Sequence, residues 1–300
     1  MIAFLKYIPA KYSDLFDIQW INYRWFYHGN ELVRPRKLFS PSVYKVVSGV
    51  FKKYFPDYLF FDKNLNKYIF SISHDLIIDV IKPNEALKNL LNKKELDPLE
   101  NKAVNLILLL SEYSGVSLNY FGIHGSISLG MHGDKSDMDV SVYGAKNYRI
   151  VLETLRDLDK RGKLTLSRES LADRIKGNVG WYQGTRFVLN AIRLDEEIKC
   201  KEENLELLGD AIIKCRVIDD YESIFRPAIY GVSDCRVISG SSFAANVSYV
   251  VSMIGIYRGF ARKGDNLIVK GMIENVNEGE YYRIVVGSGF SEEFISISPI

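Results

Sequence analysis

Apolar residues recur at helical spacing in several stretches and at strand spacing in many more, and these two periods organise the chain. Val43, Val46, Val47, Val50, Phe51 and Tyr54 fall on one face of a helix that Ser40 caps, Pro41 opens and Pro56 stops. A short helix, NEALKNLLNKKEL, follows Pro83. Asp97, Pro98 and Glu100 give a capping residue, a first-turn proline and an acid placed to complete a capping box, ahead of Val104, Ile107, Leu108 and Leu110, with Gly115 as the expected stop. Tyr148, Val151, Leu152, Leu155 and Leu158 mark a further helix over about 145–160, ending before Gly162.

Strand signals lie between and beyond these helices. FLKYIP reads as a first strand. DIQWINYRWFY and ELVRP flank the turn HGN at 28–30, and YLFFD and KYIFSIS flank KNLNK, which predicts two hairpins. LNYFGI, MDVSVYG and TRFVLNAIRL predict three strands, with GSISLG turning from the first into a short helix. From about residue 205, six strand-like runs follow one another: AIIKCRVID, AIYGVSDCRVIS, NVSYVVSMIGIY, NLIVKGMIENV, YYRIVVG and EFISIS. A Lys-Gly-Asp turn before the fourth is consistent with a small barrel, and an open sheet has the same pattern. The expected fold class is therefore mixed α/β, of the α+β kind. An N-terminal α+β region spans 1–96, a core of mixed sheet and helices spans 97–204, and a β-barrel-like module spans 205–300.

Composition narrows the function without selecting it. Of 300 residues, 47% are hydrophobic and 25% charged, which suits a folded chain with real cores and argues against disorder. Lys and Arg number 39 against 37 Asp and Glu, so no overall basic field of the kind used by sequence-independent DNA binders is present. The apolar runs VNLILLL and VSYVVSMIGIY fall short of the ~20 residues a membrane-spanning helix needs, and the start has no secretion-signal pattern. A cytoplasmic protein without membrane partners is the expectation. Cys200, Cys215 and Cys235 are odd in number and lack metal-ligand spacing, so free, mostly buried thiols are expected.

The candidate chemistry lies in GIHGSISLGMHGDKSDMD, residues 122–139. A Gly-Ser pair where a strand meets a helix leaves backbone N–H groups facing outward, as a phosphate cradle requires. Gly125 lets a ligand approach the backbone, and the Ser126 hydroxyl can donate to a phosphate oxygen. Asp137 and Asp139, at alternate positions of a strand, send both carboxylates to one face roughly 7 Å apart at Cα, a spacing that suits a hard divalent cation bridging to phosphates. Each pair alone is common in turns and strand ends. Their order within a strand, helix and strand points to a nucleotide triphosphate site. His124, His132 and Lys135 lie close by in sequence, Arg186 and Arg193 sit at opposite ends of the TRFVLNAIRL strand, and Trp181 and Tyr182, just ahead of it, offer stacking surface or plain packing.

Gly125-Ser126, ten further residues, then Ser136-Asp137-Met138-Asp139 resembles the signature of the DNA polymerase β-like nucleotidyltransferase superfamily. More widely, FLKYIP, GIHGSISLG, SDMDVSVYG, ARKGDNLIVKGMIENV and YYRIVVG look like an archaeal family of predicted nucleotidyltransferases. The resemblance implies that Gly125 and Ser126, with Lys135 and Ser136 beside them, hold the NTP. It implies that Asp137 and Asp139 coordinate Mg²⁺ or Mn²⁺ and act in catalysis. The expected reaction passes a nucleoside monophosphate to a hydroxyl on an RNA, protein or small-molecule acceptor. The superfamily usually adds a third carboxylate on a later strand. Here the matching registers offer Val188 or Asn190, neither an acid, and Asn190 could supply only a carbonyl oxygen. Asp195, Glu196 and Glu197 lie at that strand's end. The rival expectation is a nucleotide- or RNA-binding protein that uses the same pocket without turnover.

Overall fold

A computed structural model describes residues 5–38, 40–198 and 203–298. It shows a mixed α/β protein in two compact units. The first comprises residues 1–80, 201–220 and 226–300, and the second residues 81–200 together with Tyr221–Phe225.

In the first unit, the strands β1 (Ile8–Pro9), β2 (Trp25–Tyr27) and β3 (Asn30–Val33) pair in the order β1-β3-β2. The strand expected from FLKYIP is only two residues long, because Ala10–Leu15 winds into a 3₁₀ turn. His28 and Gly29 both take positive φ at the β2–β3 turn, the conformation a tight hairpin needs. Helix α1 (Pro41–Tyr54) starts where the Ser40 hydroxyl accepts the Val43 N–H, and it buries Val47 and Phe51. β4 (Leu59–Asp62) and β5 (Lys67–Phe70) form the second hairpin.

The second unit opens with α2 (Pro83–Leu91) and α3 (Pro98–Ser114). The boundary read at 96/97 thus falls inside this unit, between its first two helices. α3 carries the complete capping box of Asp97 and Glu100, and Gly115 closes it in a left-handed conformation. The chain continues through β6 (Phe121–His124), the single-turn helix α4 (Gly125–Ser128), β7 (Met138–Tyr143), α5 (Ala145–Lys160), β8 (Thr165–Leu166), α6 (Leu171–Lys176), β9 (Val179–Tyr182) and β10 (Thr185–Ile192). The sheet order is β6-β7-β10-β9-β8. β7 and β10 run parallel, and the other pairs are antiparallel.

Register assigns the residues of β6, β7 and β10 to the two faces of this sheet. Phe121, Ile123, Met138, Val140, Val142, Phe187, Leu189 and Ala191 share one face and are buried in a core with Leu106, Leu110, Val151, Leu155 and Leu158 of α3 and α5. Gly122, His124, Asp139, Ser141, Val188 and Asn190 occupy the other. α2 covers one end of that second face. A Cβ on Gly122 would sit 2.6 Å from the Pro83 carbonyl carbon, and the Tyr143 hydroxyl meets Asn84. Trp181 and Tyr182 lie within β9 rather than ahead of a strand.

The six strands expected after residue 205 all form, as β11 (Leu205–Asp219), β12 (Ala228–Gly240), β13 (Val247–Ser252), β14 (Asn266–Val276), β15 (Tyr281–Val286) and β16 (Phe294–Ser298). They pair in the order β11-β12-β13-β15-β14-β16, and β11 also pairs with β14. Ile213, Val217, Tyr230, Val250, Leu267, Val269 and Ile284 are buried among them. Among the described residues, no helix is long and apolar enough to cross a membrane.

Candidate functional site

β6 delivers the chain to a corner at His124, and α4 turns it away. Gly125 is the residue on which that corner depends. Its φ is +74°, and a Cβ there would lie 2.2 Å from Asp139 Oδ2. Glycine both permits the backbone angle and leaves the space that the Asp139 carboxylate fills. Because His124 is paired with Asp139 across β6 and β7, the Gly-Ser corner and the second aspartate are neighbours in space. Ser126 follows within α4, whose single turn is completed by the Ser128 hydroxyl donating to the Gly125 carbonyl at 3.0 Å.

The loop from α4 back to β7 is held at two points. Ser136 and Gly133 bond reciprocally, the Gly133 N–H donating to the Ser136 hydroxyl and the Ser136 N–H to the Gly133 carbonyl. His132 Nε2 lies 2.6 Å from Asp97 Oδ2, which ties the loop to the start of α3. Burial alone would push the Asp97 carboxyl up. The Glu100 N–H it accepts and the His132 ring beside it outweigh that effect and hold it below the usual carboxylate range. His132 therefore braces the loop instead of facing phosphate, while Lys135 is exposed at its tip.

Asp137 precedes the first residue of β7, so the two aspartates bracket the strand's start rather than both lying within it. The Arg186 Nη1 of β10 donates to Asp137 Oδ2 at 2.9 Å, with both side chains about half exposed. A surface pair of this kind is worth roughly 1 kcal/mol or less, so it opens readily. Arg193, at the other end of β10, is bonded to Glu222 at 2.6 and 3.0 Å and serves the packing of that end.

Register puts no acid of β10 beside Asp139. Val188 pairs with Asp139, and Asn190 pairs with Ser141, one step further from the corner on the same face. Asn190 Nδ2 lies 3.1 Å from His124 Nε2, across β7, and the fully buried Ser141 hydroxyl beneath them has no hydrogen-bond partner. Glu197 is taken up elsewhere, one oxygen accepting the Ala145 N–H at the start of α5 and the other the Leu194 N–H. The structure thus brings Gly125, Ser126, Asp137 and Asp139 to one end of the sheet and adds Arg186 and His124, whose partners sequence spacing could not reveal. A cavity of about 510 Å³ lies in the first unit, lined in part by Val43, Tyr44, Lys67 and Ile254, and has no part in this arrangement.

No family model matches this chain, nor does any curated protein or solved structure.

Proposed function

We propose that the second unit is a nucleotidyltransferase-like core that binds an NTP with a divalent cation and passes the nucleoside monophosphate to a hydroxyl acceptor. One observation carries this reading: the carboxylate of Asp139 is seated against the Cα of Gly125, in the space a side chain would occupy. That contact places an acidic group directly against the phosphate-cradling corner, where one bound cation could bridge the two.

The donor set fits a hard cation: Asp137 and Asp139 would hold Mg²⁺ or Mn²⁺, and Asn190 has a carbonyl oxygen on the same face. When bound, the metal neutralises charge on the phosphates. The chain's own groups do the rest. Backbone N–H groups at Gly125 and Ser126 and the Ser126 hydroxyl orient the β and γ phosphates, Ser136 shapes the loop beside them, and Lys135 adds a cation at the loop tip. Arg186, which donates to Asp137 here, would supply a guanidinium to a phosphate oxygen once that surface pair opened.

A second reading is favoured by the β10 register. With Val188 opposite Asp139 and Asn190 engaged with His124, no carboxylate from β10 completes the pair, which supports a protein that binds Mg·NTP without turnover. The pairing cycle in which β11 meets both β12 and β14 supports a small barrel for the C-terminal module, a form suited to presenting an acceptor such as RNA.

Calorimetric titration of NTP with and without Mg²⁺ tests the site. Saturable, Mg²⁺-dependent binding is expected, and Asp139→Ala should weaken it at least tenfold while leaving the thermal transition in place. Unchanged affinity in that variant would refute the assignment. Incubation with α-labelled NTP and RNA, protein or small-molecule acceptors then separates transfer from binding.

A further inference from the structure

The register of the antiparallel pair β11–β12 shifts at three places, and the middle one brings two cysteines together. Lys214 is paired with Arg236 and Arg216 with Ser233, so a single residue, Cys215, faces two, Asp234 and Cys235. Asp234 takes a left-handed φ of +54°, as a bulge requires. The bulge turns Cys235 toward the interior, where it packs against the same core that buries Cys215. Its thiol donates to the Val247 carbonyl at 3.2 Å, and the register sets it across the strand pair from Cys215. Both are free. Two cysteines opposed on neighbouring strands and packed into one core meet the main geometric demand of a disulfide, since Cβ atoms opposite each other across strands lie ~4.5–5.5 Å apart and the bond needs ~3.5–4.5 Å.

We propose that Cys215 and Cys235 are a thiol–disulfide site, closing reversibly into a cross-strand bond when a small-molecule disulfide is available. The roles follow from the surroundings. Cys235 is only part-buried, so it is the group an external disulfide can reach and the one that attacks. Cys215 is buried in the core, so it resolves second. In the first step the Cys235 sulfur bonds to one sulfur of the external disulfide, whose S–S bond breaks and releases a thiolate. In the second, Cys215 gives its proton to that thiolate and bonds to the Cys235 sulfur, expelling the other half of the external disulfide as a thiolate that takes up the proton Cys235 shed. The protein loses two protons and two electrons, and the external disulfide becomes two thiols.

The bond would close the loop from Cys215 to Cys235. That loop carries Tyr221–Phe225 of the second unit, in whose core Ile224 and Phe225 are buried. Oxidation would therefore fix the base of the segment that completes the second unit's core.

The test uses the full chain with Cys200→Ser, equilibrated in glutathione and glutathione disulfide buffers. The expected product is a monomer lacking both titratable thiols, with one unreduced peptide joining Cys215 to Cys235, melting several degrees above the reduced form and reverting with dithiothreitol. Cys215→Ala should accumulate glutathione on Cys235, because the resolving thiol is gone. Two thiols still titratable in the oxidising buffer, a stable glutathione adduct without Cys215→Ala, or linkage between chains would each overturn the proposal. Failure of Cys215→Ala to capture glutathione would overturn the assigned order of attack.

Discussion

At the scale of single residues, Gly125 and Asp139 form the contact on which the site depends. Gly125→Ala forces a Cβ to within 2.2 Å of Asp139 Oδ2 on a backbone held at φ +74°. Left-handed strain costs about 1–2 kcal/mol and displacing the carboxylate adds to it, so a loss of roughly 2–4 kcal/mol is expected. Gly115→Ala supplies the comparison, since its φ of +69° is similar but nothing lies within 4 Å of the new Cβ. Urea midpoints should fall more for Gly125→Ala than for Gly115→Ala, and equal falls would show that the carboxylate moves without cost. The Gly-Ser corner, the two aspartates and their order were legible in the letters alone. Their partners were not. Arg186 on Asp137, Asn190 near His124 and His132 on Asp97 are each 35 or more residues apart in sequence, and side-chain chemistry at that separation is decided by sheet register and helix docking, which local periodicity does not encode.

Among the elements, α3 shows how a cap writes itself into pH dependence. Asp97 accepts the Leu99 and Glu100 N–H groups at 2.9 Å, and Glu100 returns the bond to the Asp97 N–H. Its folded pKa is depressed, so the stabilisation is fully present above the unfolded value of about 3.9 and is lost as pH falls through the lower folded value. With the side chain 41% exposed, about 1 kcal/mol is at stake. Denaturation midpoints from pH 6 to pH 2 should show that acid-dependent loss in the native sequence, and Asp97→Asn should lack that share of it. α3 was readable because every cue for its start lies within four letters. The same holds for α1, for α5 and for the six late strands, whose turns punctuate alternating runs. α2 was readable as a helix but not as part of the second unit, because the residues it docks on, Gly122 and Tyr143 among them, lie some 40 to 60 residues away. Likewise, the Thr165–Leu166 strand joins the sheet through just two residues, too few to give a period.

On the scale of the whole molecule, the chain crosses between its units more than once, and the short return at Tyr221–Phe225 matters most. Phe225 is 1% exposed in the second unit's core, with the Arg193 guanidinium 4.4 Å from its ring centroid and Glu222 paired to the same arginine. Phe225→Ala should cost the second unit about 3–5 kcal/mol. Hydrogen exchange should then speed up at β7 and β10 amides while those of β14 and β15 keep their protection, and uniform acceleration throughout would contradict a two-unit description. No periodicity announces such a return, since its five residues sit inside a run of strands and carry no signal of the core they enter.

Translation gives that return a temporal meaning. Ribosomes add about 5–20 residues per second, so the central sheet and its helices emerge a second or more before their last core side chain does. During that interval the nascent unit holds an open socket of aromatic size, and its maturation waits on a segment made after the first long strand of its neighbour has been synthesised.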